Sequence, residues 1–82
     1  MATMPTSYGF QHFVRNELGE LAAGRPQKAA SAAAAVREAS LLARLKPGAV
    51  AFRQSHNPLR GELDPPIPIA RYGDAPEDLT VF

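Results

Sequence analysis

The side chains best suited to proton transfer near neutral pH are His12 and His56, and they lie in different segments of the 82-residue sequence. No HExxH, paired histidine or carboxylate cluster gives the spacing of a metal site, and the absence of cysteine removes thiolate ligands and thiol nucleophiles together. Ser31, Ser40 and Ser55 are the candidate hydroxyl nucleophiles, but no nucleophile motif surrounds any of them. Ser55 beside His56 is adjacency in the chain and nothing more. The six glycines are scattered singly, so no phosphate-cradling loop is present. The sequence therefore assigns no catalytic, cofactor-binding or metal-ligating residue, and the protein is read as non-enzymatic and free of cofactor.

Glu17 is the charged residue that a helical projection singles out, because it falls inside the arc of Phe10, Phe13, Val14 and Leu21. A carboxylate there either pairs with Arg37 or Arg44, which stand seven apart on one helical face, or lies at a solvent-exposed edge. Two ligand-like patterns occur near the C-terminus. Pro65 to Pro68 forms PxxP without a basic residue at the matching distance, and Thr80, Val81 and Phe82 have the form of a PDZ ligand. Leu79, Val81 and Phe82 serve equally as side chains that fold back onto an apolar face.

Charge is unevenly distributed behind a net value of +1. Residues 25 to 60 carry Arg25, Lys28, Arg37, Arg44, Lys46, Arg53 and Arg60 against Glu38 alone, and the segment from 61 onward carries Glu62, Asp64, Asp74, Glu77 and Asp78 against Arg71. A basic middle beside an acidic tail implies either docking of the tail on the middle or two separate partner surfaces.

These residues must be positioned by a small scaffold. A chain of this length buries only about 60 to 65% of the surface that its unfolded form exposes, and much of its 45% hydrophobic fraction is alanine. Without disulfides or a zinc site, oligomerisation or a partner is the natural supplement. Residues 1 to 7 have neither the basic nor the apolar region of a leader, and the alanine run is interrupted by Arg37 and Glu38, so a soluble cytoplasmic protein without a membrane partner is expected.

The pattern of apolar residues predicts a mostly α protein forming a single domain. Thr6 or Ser7 caps a first helix, about 8–23, on which Phe10, Phe13, Val14, Leu18 and Leu21 recur at helical spacing. Gly24 and Pro26 end it, and a second helix, about 26–45, follows. Eight of the fifteen residues from Ala29 to Ala43 are alanine, and Pro47 with Gly48 supplies the stop. One arc of this helix contains Ala29, Ala32, Ala35, Val36, Ala39, Leu42 and Ala43, and a second contains Ala30, Ala34, Leu41 and Leu45. Residues 1–46 thus form a helical hairpin. Residues 47–82 form an extended, proline-rich tail, with a short strand near 49–54 suggested by Val50 and Phe52.

The function expected on these grounds is that of a small accessory or regulatory protein, of inhibitor or adaptor type, which binds a larger protein, with pairing as a homodimer left open. Arg37, Arg44 and Arg53 would supply charge complementarity, with Phe52, Ile67, Ile69 and Phe82 as apolar anchors. The first alternative is a nucleic-acid-binding regulator using the basic 25–60 stretch, since a helix, a glycine turn and a basic helix have the outline of a helix-turn-helix. Glu20 and the alanines of the second helix fit that motif poorly. The second alternative is a structural subunit of a larger assembly.

Overall fold

The computed structural model describes residues 6–57 and 61–76, and it overturns the helical hairpin. The protein is mostly β, with one helix. In chain order the elements are β1 (Thr6–Arg15), β2 (Leu21–Ala23), β3 (Gln27–Ala29), α1 (Ala32–Leu42), β4 (Gly48–Asn57), β5 (Glu62–Leu63) and β6 (Ile67–Gly73). All the strand pairs are antiparallel.

Two ten-residue strands, β1 and β4, form the centre of the sheet and pair from Thr6↔Ser55 to Phe13↔Gly48. Each is flanked on its outer side by an interrupted strand. β2 and β3 lie in succession along β1, pairing with residues 13–15 and 8–10, while β5 and β6 lie along β4. The segment expected to be the first helix is therefore a central strand. Phe10 and Phe13 stand three apart, an odd spacing that sends them to opposite faces of a strand. Both are buried, because each face of the sheet has its own cluster.

The turn after β1 is specified by two residues. Asn16 accepts hydrogen bonds at its Oδ1 from the backbone N–H groups of Leu18 and Glu20, each at 2.9 Å. Gly19 takes a positive φ of 78° that other residues adopt at a cost. Gly19, which would only weaken a helix, is thus what reverses the chain. Glu17 and Leu18 are exposed on this turn, and Glu17 forms no ion pair with Arg37 or Arg44.

The second expected helix is shortened from both ends. Pro26 opens no helix; Gln27–Ala29 pair with β1, and the helix begins after Ser31, whose hydroxyl accepts from the N–H of Ala34 at 3.1 Å. A side-chain acceptor satisfies an otherwise unpaired first-turn donor, which is why serine sets the boundary. The helix ends before Pro47, through backbone bonds from Leu45 and Lys46 to the carbonyl of Leu42.

One face of the sheet receives α1. Ala35 and Ala39 are fully buried against Phe10, Ala49 and Ala51, and Val36, Leu42, Ala43, Tyr8, Ala70 and Tyr72 pack around them. Methyl groups on both the helix and β4 permit a close approach of the two backbones. On the opposite face Phe13 and Val50 are fully buried, with Leu21, Phe52 and Ala75 packed against them.

The proline-rich tail is also corrected. Pro68 lies inside β6, an outer strand, and a bulge between Ala51 and Phe52 shifts the register where it pairs. Proline lacks a backbone donor, so edge positions and bulges are where a sheet accommodates it. The short strand considered at 49–54 is part of the longer β4. Among the described residues, no helix is long and apolar enough to cross a membrane.

Candidate functional site

The residues expected to contact a partner are dispersed by the fold over several surfaces. Arg37 and Arg44 are exposed on the outward side of α1 and the turn that follows it. Arg53 is exposed on β4, between its register partners Tyr8 and Ile67. Phe52 is its immediate neighbour and so projects to the other side of the sheet, away from the helix. Ile67 and Ile69 lie on the outer strand β6, 49% and 37% exposed. Phe82 lies outside the described residues, as do Thr80 and Val81.

The other basic residues are dispersed as well. Lys28 is on β3, opposite Gly9, and Arg25 precedes that strand, so the basic stretch of the sequence does not become one continuous basic face. An ion pair joins Arg15 to Asp74 at 3.6 Å, with both side chains about half exposed. Exposed pairs of this kind contribute little to stability.

Two surfaces nonetheless bring chemistry together. The first is the outward stripe of the helix. Arg37 and Leu41 stand four apart on one side of α1, and Arg44 and Leu45 follow in the turn after it. Leu41 is 45% exposed and Leu45 is 80% exposed. Leucines in that position carry apolar surface left open by the described residues, and the arginines beside them rim it with positive charge.

The second is a groove of about 200 Å³ on the helix-free face. It is built on a single row across three strands: Lys28 on β3, Gly9 on β1 and Phe52 on β4 are register partners. Gly9 has no side chain, and the end of the Phe52 ring occupies the space that a Cβ would take, 2.7 Å from its ideal position. In the next row, the Ser7 hydroxyl donates to the Gln54 carbonyl at 3.3 Å. The Gln54 Nε2 donates to the carbonyl of Asp64 at 2.9 Å. Lys28 is the one charged side chain lining the groove.

Sequence reasoning reached Phe52 but missed Gly9 and Lys28 as its neighbours, since strand register, which no local pattern specifies here, is what joins them. The histidines are kept apart. His12 packs its ring against Gly24 in the break between β2 and β3, whereas His56 is near the far end of β4. Ser55 and His56, consecutive in that strand, project to opposite faces. No cluster of three or more potential metal ligands is found among the described residues.

Comparison with known proteins identifies no matching family, no curated relative and no solved structure that matches the chain.

Proposed function

We propose that this is a small non-enzymatic accessory protein that acts by binding a larger protein through the outward stripe of α1. The observation that carries the reading is the exposure of Leu41 and Leu45 beside Arg37 and Arg44. Apolar anchors inside a charged rim are the usual composition of a binding surface, with the anchors supplying most of the affinity and the charges steering the encounter. The partner that fits is a segment with apolar side chains and neighbouring carboxylates. A cytoplasmic setting is part of the same reading.

The test compares three forms of the chain as bait in extract from the source cells. A partner retained by the wild type and by Phe52→Ala, but lost by the Leu41→Glu/Leu45→Glu pair, supports the stripe. Recovery that is identical for all three forms overturns it. Concentration-dependent self-association abolished by the same leucine changes would make the partner a second copy instead.

A further inference from the structure

We infer that the groove on the helix-free face binds single-stranded nucleic acid, one base stacking on Phe52 and the adjoining phosphate pairing with Lys28. Three features of the groove match the face of a base, its edge and the adjoining phosphate. The Phe52 ring leans across Gly9 and is only partly buried, so an aromatic surface is held at the sheet by the absence of a side chain on the neighbouring strand. Stacking on such a ring is tolerant of base identity, because every base has a π-face.

Lys28 stands at the other end of the same row, two strands from Phe52 and therefore roughly 10 Å away along the sheet. That span suits the separation between a stacked base and a backbone phosphate. An exposed ammonium with no carboxylate in the groove lining is left to meet an anion. Two residues along β4 from Phe52, Gln54 uses its Nε2 to bind the Asp64 carbonyl, which leaves its Oε1 as an acceptor for an amino group on a base edge.

An acidic side chain would use Lys28 but has no flat π-face to stack on the ring. A duplex would present its bases already stacked, with no free face for Phe52. The observations therefore favour an unpaired strand.

The test is fluorescence anisotropy of the full chain with labelled oligo-dC and oligo-C about ten nucleotides long, titrated at low salt and again as salt is added. Phe52→Leu is expected to weaken binding about tenfold or more, and Phe52→Tyr, which keeps the ring, to restore it. Lys28→Gln should lower the slope of log affinity against log salt by about one. Lys46→Gln, in the turn after α1 and outside the groove lining, should leave the affinity unchanged. Preference for one oligonucleotide would identify the sugar that the groove accepts, and binding of either supports the inference. No binding of either at low salt overturns it, as does binding that Phe52→Leu leaves intact in a chain of unchanged circular dichroism. Poly-glutamate competing through Lys28 but independently of Phe52 would assign the groove to acidic peptides and overturn it equally.

Discussion

The Phe52 ring and Gly9 are cross-strand partners in direct contact, and the space above the glycine is filled by the end of the ring. A methyl group added at Gly9 would lie 2.7 Å from Phe52 Cζ and 2.6 Å from the carbonyl oxygen of Gln27, both too close for a carbon atom. The ring must swing away and β3 must shift. Gly9→Ala is expected to cost about 1 to 3 kcal/mol in urea denaturation. In a Phe52→Ala background only the Gln27 clash remains, so the same change should cost measurably less. Equal costs in the two backgrounds would show that the ring does not sit where it is described.

Phe10, Phe13 and Leu18 provide a test of the strand itself. Phe10→Ala and Phe13→Ala each remove a buried aromatic side chain and should destabilise by about 3 to 5 kcal/mol, a large share of the ~5 to 15 kcal/mol that holds a domain together. Leu18→Ala should change stability by less than about 0.5 kcal/mol, because Leu18 is 81% exposed in the turn. On an amphipathic helix all three would share one buried face. A Leu18→Ala cost comparable to the phenylalanine changes would argue for the helix and against the sheet.

The same residues show what was legible in the sequence. Apolar residues at 10, 13, 14, 18 and 21 match a helical period, but a strand buried on both faces imposes no alternation, so periodicity could not separate the two. The distinguishing signals were local: aromatic and β-branched residues at Tyr8, Phe10, Phe13 and Val14, and the Asn16 to Gly19 turn. The alanine helix was legible as to its inward face, since Ala35, Val36, Ala39, Leu42 and Ala43 do meet the sheet. Its first turn was not, because Pro26 suits a helix start and an edge strand alike. The groove was hidden for another reason: Lys28, Gly9 and Phe52 come from three separate strands, and only their register joins them.

The contact between α1 and the sheet leads to a further expectation. Ala39 is fully buried against a surface that is itself largely alanine, whereas Ala33 is exposed on the same helix. Ala39→Leu should force the helix off the sheet and cost about 1 to 3 kcal/mol or more. Ala33→Leu, a change of the same chemistry in a good helix former, should be nearly neutral. Thermal melts of the two variants against the wild type decide it; similar melting temperatures for both would mean that the helix is not seated on its alanines.

The pairing of β1 with β4 has a consequence for how the molecule comes into being. Thr6 meets Ser55 and Phe13 meets Gly48, so the two central strands are joined by everything that lies between them in the chain. Contacts of such long sequence separation are slow to form, because closure entropy is spent before any pairing repays it. The β1–β2 turn and the helix can form early from local interactions. During synthesis, β1 must wait for its long neighbour until the chain has been made through Asn57, with Phe10 and Phe13 exposed in the meantime. The two halves of the sheet are thus brought together only by the strand made later.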